Sequence, residues 1–567
     1  MIDSLAERLQ QNAARFPDKA ALIIPGRRAA WETITYRQLA ARGELFERGL
    51  AACGLQAGMR AVLMAPPSVD FFALVFALFR RGVVSVMIDP GIGLTNVTTC
   101  LARCQPEVYF GSALTHGLRR WFGWGRASLR QNLTLAEVAR AGISAPPAPP
   151  ISLNDGSVVA IIHTTGSTGL PKGVIYTAAN FAAQVDMLVE ALQLRGDEID
   201  LPAFPIFALV DCLLGVTAVI PDLRFPRPAA VDAARLAAAI QAHQVNTMFA
   251  SPAALARLAR DGREKGLRLP GLQKVITAGA PAPPEVQEQF IEMLSPSANL
   301  FGIYGSTETL PVSLVNSREV LQETRDLSAQ GAGVCIGRPT AGAQVQIVPI
   351  SDEALSAAEA QPLPVGVVGE IAVQGAAVTE LYVEEGALNL APSKPQIGML
   401  SLSKHGLSKH SSSKHSLSKH SLSGQAKILT ADGEILHRMG DLGYFDEQGR
   451  LWYCGRKSQR VATAAGTLFT EQVEGIFNAH PLVYRTALVG VEIAGEVQPV
   501  LWVERNPAGR GADQNRLRAE LLELAKAHPM THSIQHILFH PAFPTDIRHN
   551  SKIIREKLAE QAKKRIP

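Results

Sequence analysis

No two of the six cysteines (Cys53, Cys100, Cys104, Cys212, Cys335 and Cys454) form a C-x-x-C pair. That absence argues against a zinc site or a disulfide framework and suits a reducing compartment. Long apolar runs are missing as well. The longest, residues 71–89, is broken by Arg80, Arg81 and Gly82, so no membrane span is predicted. The first residues include Asp3 and Glu7 and no apolar block, so no secretory leader is expected and the protein is placed in the cytoplasm. An excess of one charge is also lacking. The net +4 disappears once Lys404, Lys409, Lys414 and Lys419 of one repetitive stretch are set aside, leaving 51 basic against 51 acidic residues. Nothing in that balance argues for nucleic acid. With 47% hydrophobic and 19% charged residues the composition is that of an ordinary soluble chain, and 567 residues imply several structural units.

What the chain does have is a loop that looks built for polyanions. Residues 163–174 read H-T-T-G-S-T-G-L-P-K-G-V. Residues 158–162 before it are apolar and β-branched, a buried strand. Residues 175–190 after it are expected to be helical, with Phe181, Val185, Leu188 and Val189 on one side. Glycines let the backbone approach a ligand closely, N–H and hydroxyl groups donate to phosphate oxygens, and Lys172 adds a point charge. The loop is not a Walker motif, which needs Gly where Pro171 stands. Taken alone, it could equally be an ordinary surface loop.

The surrounding pattern alternates. Ser4-Leu5-Ala6-Glu7 is a capping box opening a helix to about residue 14, and helices are expected over 35–53 and 68–81, strands over 59–65 and 83–88. Apolar strands between helices predict a parallel sheet covered on both faces. Residues 145–150 (A-P-P-A-P-P) form a stiff linker. A helix over 229–243 and strands over 247–250 and 274–277 predict a second such sheet, and residues 344–349 and 369–373 a smaller β subdomain. Residues 401–423 repeat S-K-H-x-L, with histidines at 405, 410, 415 and 420. A five-residue step matches neither helix nor strand, so a disordered insert is expected rather than a metal site. His528, His532, His536 and His540 are four apart, but residues 534–539 are β-prone and Pro541 follows, so no ligand stripe is predicted.

Four more clusters follow the loop in order: Tyr304-Gly305-Ser306-Thr307-Glu308; Met439-Gly440-Asp441-Leu442-Gly443-Tyr444; Gly455-Arg456-Lys457-Ser458; and Lys552 within R-H-N-S-K-I-I-R. Singly, these carboxylates and lysines read as solvated surface charges and Tyr304 as core. Together and in this order, they resemble the adenylate-forming superfamily of acyl-CoA synthetases, luciferases and nonribosomal-peptide adenylation domains. The resemblance covers essentially the whole chain except the His-rich insert. It implies an α/β fold: a large N-terminal domain (1–457) of two αβ sheets plus a β subdomain, and a small mobile C-terminal α+β domain (458–567) hinged at Ser458. It also implies ATP and Mg²⁺. Thr164, Thr165, Gly166, Ser167, Thr168, Gly169 and Lys172 would hold the phosphates, Thr164 among the catalytic groups. Gly279, Ala280 and Pro281 would line the adenine and Tyr304 would stack on it, with Gly305 alongside. Thr307 would touch phosphate, Glu308 would hold Mg²⁺, Asp441 would accept both ribose hydroxyls, Arg456 would contact the nucleotide, and Lys552 would enter the site as the catalytic lysine.

Three departures narrow the family. Ser551 stands where relatives usually have Gly, Ala208 where they often have His, and residues 466–474 are about one residue short. The chain most resembles the β-lactone synthetases of bacterial long-chain olefin biosynthesis. That resemblance implies activation of a long-chain 2-alkyl-3-hydroxy acid as acyl-AMP and closure by its own hydroxyl. It also implies assembly with thiolase-like, reductase and β-lactone decarboxylase enzymes of the same route. The alternatives are a long-chain fatty acyl-CoA or acyl-carrier ligase, or a non-catalytic adenylate-binding scaffold. Phe204 and Phe207 head an apolar run suited to alkyl chains. Asp211 interrupts it and is expected to face solvent or a partner. Asp211 and His163 are the candidate bases for the hydroxyl.

Overall fold

The computed structural model describes residues 5–26, 30–149, 151–164, 171–221, 232–384, 422–493, 495–545 and 552–566. Two sheets dominate. The first has six strands in the order Gln131–Leu133, Val108–Gly111, Arg60–Met64, Val84–Met87, Val158–Thr164, Lys172–Thr177. All neighbours run parallel except the last pair. Its inner strands are almost wholly buried because helices cover both faces.

The second sheet has nine strands. Its parallel centre comprises Asn299–Ser306, Lys274–Ala278, Thr247–Ala250, Ile199–Pro202 and Thr217–Val219. The N-terminal hairpin Ala20–Pro25/Trp31–Thr35 extends it by pairing Leu22 with Ala218. Between the sheets runs the helix Val69–Arg80, capped by Ser68, with residues 71–79 all buried. A helix that is apolar all round needs such a place, and its core cluster draws on both sheets through Leu22, Ala61, Val108 and Ala218.

The expected alternation is present, with ends within a few residues of those read from sequence: Leu5–Arg15, Tyr36–Ala52, Thr247–Ala250, Lys274–Ala278. One expectation fails. Residues 172–177 form a strand, not the start of a helix, and the helix begins only at Ala178. The run Val174-Ile175-Tyr176-Thr177 is β-prone, and the Thr177/Asn180 capping box sets the helix start. The phosphate-type loop therefore joins two antiparallel strands, with Thr164 opposite Lys172.

A third, antiparallel sheet holds Val334–Cys335, Leu451–Arg456, Ile435–Phe445, Gly369–Gln374 and Gln344–Val348, with Lys427–Leu429 on its side. The C-terminal part is α+β: three strands (Val483–Ile493, Glu496–Arg505, His536–His540) and helices Thr470–Asn478, Gln514–Ala527 and Arg555–Lys563 around cores of their own. It closes against the third sheet at Gly455 (φ +122°), where a Cβ would lie 2.1 Å from Thr470 Oγ1. Among the described residues, no helix is long and apolar enough to cross a membrane. The six cysteines are all free.

Most of the His-rich repeat lies outside the described residues. Its expected end at residue 423 runs into an ordered helix, Leu422–Ala426, where buried Ser423 accepts from Tyr382 N (3.1 Å) and donates from its own N to Glu384 (2.9 Å). The later histidines do not converge: His536–His540 is a strand, and His528 Nε2 meets the Gln330 carbonyl at 3.1 Å.

Candidate active site

The nucleotide-type residues gather at the C-terminal edge of the second sheet, where open α/β sheets bind ligands. The strand Lys274–Ala278 ends at Gly279 (φ +96°), and Gly279 and Pro281 are exposed there. Next to it, Asn299–Ser306 and Thr309–Asn316 form a hairpin in which Ser306 pairs with Thr309. Thr307 and Glu308 therefore sit at its tip, held from outside by the Tyr176 hydroxyl on the Thr307 carbonyl and by Thr379 N on the Glu308 carbonyl (2.9 Å).

Tyr304, on the same hairpin, reaches the third sheet, and its hydroxyl donates to Asp441 Oδ2 at 2.8 Å. Asp441 and Arg456 are cross-strand partners there, with Arg456 Nη1 at 3.0 Å from Asp441 Oδ1. That oxygen has no hydrogen bond among the described residues, and Arg456 is its ion-pair partner. Burial pushes the Asp441 carboxyl up, Arg456 and Tyr304 pull it down, and the Lys552 charge from the far end of the chain also acts on it. Tyr304, Asp441 and Arg456 are thus in direct contact.

Three residues with no motif to mark them join the site. Tyr382 donates to Glu308 Oε1 at 2.7 Å, and its ring lies between Lys172 and Lys427, each ammonium 5.2 Å from the ring centre. The segment Leu381–Val383 docks on the strand after the phosphate-type loop through Ile175 N to Leu381 O (3.1 Å) and Val383 N to Gly173 O (2.7 Å). Lys427 is 2% exposed, donates to the Thr379 carbonyl, and is pushed down by burial to about 7. His437 is buried and held neutral by burial, with Nδ1 at 3.2 Å from the Ala426 carbonyl. Burial opposes the Glu308 charge, but Lys427 and the Tyr382 and Ser306 hydroxyls favour it, and its carboxyl lies below the usual range. A buried carboxylate kept ionised at a hairpin tip suits Mg²⁺, which takes one or two carboxylates plus phosphate oxygens. No group of three His, Cys, Asp or Glu ligands occurs among the described residues.

Residues 165–170 lie outside the described residues, as does the side chain of Thr164, so only the two strands that flank the loop are placed. Ser458 is exposed in a short 3₁₀ turn, after Lys457, which donates to the Ser351 carbonyl (2.7 Å) and to Glu370 (3.2 Å). Of the pocket residues, Phe207 and Asp211 line an apolar cleft, whereas Phe204 and His163 are not among its lining. His163 is packed into the first sheet's core with Nε2 3.3 Å from Cys104 Sγ, and burial pushes it down to about 4. Asp211 neither faces solvent nor meets a cation. It is 8% exposed, and burial together with the neighbouring Asp200 carboxyl pushes its own carboxyl well up.

Comparisons with known proteins agree with this geometry. The model of the AMP-binding enzyme family matches residues 9–383. The olefin beta-lactone synthetase of Stenotrophomonas maltophilia (strain K279a) is 42% identical, covering 98% of this chain and 97% of that protein. Its namesake from Xanthomonas campestris pv. campestris is 39% identical over 98% and 97%. Among solved structures, the fold is that of o-succinylbenzoate coenzyme A synthetase (MenE) from Bacillus subtilis in complex with ATP and magnesium ion. The TM-score is 0.70 at 19% identity, covering 97% of this chain and 99% of that one. The amide bond synthetase McbA from Marinactinospora thermotolerans is similar, with a TM-score of 0.74 at 20% identity, covering 98% and 99%. A family match across two thirds of the chain, joined to relatives that match it from end to end, leaves one conclusion: this chain is a member of the AMP-binding enzyme family.

Proposed function

We propose that this protein is an AMP-forming ligase that converts a long-chain 2-alkyl-3-hydroxy acid to a β-lactone, consuming ATP and releasing AMP and pyrophosphate. The observation that carries the reading is the meeting of Tyr304 with Asp441 (2.8 Å) and of Asp441 with Arg456 (3.0 Å), with Glu308 at the tip of the Tyr304 hairpin. The identity of the acid rests on the two relatives at 42% and 39% identity.

In the first step the substrate carboxylate attacks the α-phosphorus of ATP and pyrophosphate leaves. Asp441 and Arg456 hold the ribose, Tyr304 stacks on the adenine that lies along Gly279, Ala280 and Pro281, and Lys172 and the loop donors hold the phosphates. Glu308, steadied by Tyr382, would hold Mg²⁺, which would neutralise phosphate charge. Lys552 meets the charge that builds up at the α-phosphate, an interaction made only as the reaction proceeds. In the second step the 3-hydroxyl oxygen attacks the acyl-AMP carbonyl and gives up its proton, the acyl–phosphate bond breaks, and AMP leaves as a four-membered ring closes. Attack within one molecule has a high effective concentration, and the anhydride supplies the driving force. Water must be kept out, or the adenylate hydrolyses. His163, walled off against Cys104, does not serve as the base.

In this reading residues 1–457 hold ATP and acid, and residues 458–567 turn about Ser458 to deliver Lys552. The protein works in the cytoplasm beside the thiolase-like, reductase and β-lactone decarboxylase enzymes of the same route. The test is product identity. With Mg-ATP and a 2-alkyl-3-hydroxy acid, NMR of a cold organic extract gives a β-lactone whether or not coenzyme A is present. A thioester formed only with coenzyme A, and no lactone in either tube, makes the protein an acyl-CoA ligase instead.

A further inference from the structure

A lysine is a costly residue to bury, because an apolar side chain would fill the same space with no polar end to satisfy. Lys427, on the short strand Lys427–Leu429, is only 2% exposed. Among the described residues its Nζ has two hydrogen-bond partners, the Thr379 carbonyl and, at 3.3 Å, the Thr379 hydroxyl. The lysine therefore supplies two directed bonds to one residue, and the place of Thr379 in the site shows what they hold.

Thr379 opens the segment 379–383, which lies outside every helix and sheet and reaches three separate parts of the site. Its first contacts are on Glu308. Thr379 N donates to the Glu308 carbonyl (2.9 Å) and the Tyr382 hydroxyl to Glu308 Oε1 (2.7 Å), so one segment grips that residue at its backbone and at its carboxylate. Next, Leu381 O and Val383 N bind Ile175 N (3.1 Å) and Gly173 O (2.7 Å) on the strand that follows the phosphate-type loop. The third side is the third sheet. The Lys427 strand pairs there with Ile435–Phe445, Lys427 opposite His437, and Asp441 stands four residues further along that partner. Four residues before Lys427, Ser423 accepts from Tyr382 N at 3.1 Å. Residues 379–383 thus form a bracket between the Glu308 hairpin, the phosphate strand and the Asp441 strand. A segment with no ladder of its own is fixed only by such contacts, and Lys427 is the one at its Thr379 end.

We propose that Lys427 is a positioning residue for Glu308, which it holds through Thr379 and Tyr382. By fixing Thr379 it keeps Thr379 N on the Glu308 backbone and the Tyr382 hydroxyl on the Glu308 carboxylate. The Tyr382 ring packs beside the same lysine, its centre 5.2 Å from Nζ, so both grips on Glu308 depend on one side chain. The magnesium role of Glu308 rests on the proposed reaction, whereas the bracket rests on the contacts alone.

Lys427→Met keeps an unbranched side chain and removes the donor. It is read in the full-length enzyme beside Tyr382→Phe and the double variant, by two measurements that need no turnover. The first is hydrogen–deuterium exchange without nucleotide. In Lys427→Met the amides of Thr379, Val383 and Ile175 should exchange at least ~tenfold faster, while the strand Glu496–Arg505 keeps its wild-type rates. The second is EPR of Mn²⁺ titrated into enzyme with α,β-methylene-ATP and no acid. Each single variant should raise the manganese Kd at least ~tenfold, and the double variant should lose less than the product of the two, because both act on Glu308 through one segment. A lysine that only fills space would lower the melting temperature and leave the manganese Kd alone. Unchanged exchange at residues 379–383, a Kd raised by Tyr382→Phe but not by Lys427→Met, or losses that multiply in the double variant each overturn the proposal. Faster exchange with the manganese Kd unmoved in all three variants refutes the magnesium role of Glu308 and leaves the hold of Lys427 on the bracket standing. If Lys427→Met does not fold, Thr379→Val, which removes only the hydroxyl acceptor, is read in the same way. Changes of about threefold in both measurements then support the proposal, and no change overturns it.

Discussion

Tyr382→Phe is the cleanest probe of how the magnesium carboxylate is held. The change keeps a ring of the same shape between Lys172 and Lys427 and removes one oxygen, the one that donates to Glu308 Oε1 at 2.7 Å. A hydrogen bond to a charged, buried group contributes about 1.5–3 kcal/mol, which is roughly a 10- to 100-fold effect. If Glu308 positions Mg²⁺ on the ATP phosphates, the loss should fall on kcat/KM for ATP and should raise the magnesium concentration needed for half-maximal rate. The assay is acid-dependent ATP–pyrophosphate exchange across a magnesium titration. Tyr176→Phe is the matched control, because its hydroxyl meets the neighbouring Thr307 carbonyl instead. A neutral bond of that kind contributes about 0.5–1.5 kcal/mol, so its effect should be smaller and independent of magnesium. A Tyr382→Phe enzyme within about twofold of wild type at limiting magnesium refutes the reasoning, since an effect of the predicted size would exceed that.

Lys552→Ala should lower adenylation about 10²–10³-fold while leaving ATP affinity, measured by equilibrium dialysis, close to wild type; near-normal exchange would show that another group does its work. His163 titrates at about 4 when folded and at about 6.5 when unfolded, so the unfolded chain takes up its proton first as pH falls. Stability from this residue is complete above pH ~6.5 and is lost towards pH ~4, by up to about 3 kcal/mol, and urea midpoints of His163→Gln should lack that part of the acid-side fall. Removing residues 402–420 should leave soluble yield and pyrophosphate exchange unchanged, and a large fall in either would make the repeat structural.

How much of this was legible in sequence varied with the kind of signal. Apolar runs separated by capped helices give the sheets and their order along the chain, because burial on both faces leaves a plain record. The five motif clusters give the ligand edge. The strand at Lys172–Thr177 was misread because a short apolar run fits a buried strand and a helix face equally well, and only the Thr177/Asn180 cap separates them. Tyr382, Lys427 and His437 were not seen. Tyr382 is brought in by an isolated bridge to Val174, and Lys427 by a short strand beside Ile435–Phe445. Such pairings between distant segments leave no periodicity. Asp211 stands out for its cost among apolar neighbours, but it lies on the helix Ala208–Leu214 and its neighbour Asp200 on the strand Ile199–Pro202, and no spacing in the sequence shows that the two meet.

The clasp between Glu384, Tyr382 and Ser423 has a consequence for how the gene can change. Ser423 meets both residues directly, so residues 384 and 423 are fixed side by side. Doubling the length of chain between two ends that are already held together costs only about 0.6 kcal/mol. Tandem S-K-H-x-L units can therefore be gained or lost by replication slippage at little cost in closure, and the interval between 384 and 423 offers a site for an internal affinity tag or a fluorescent reporter.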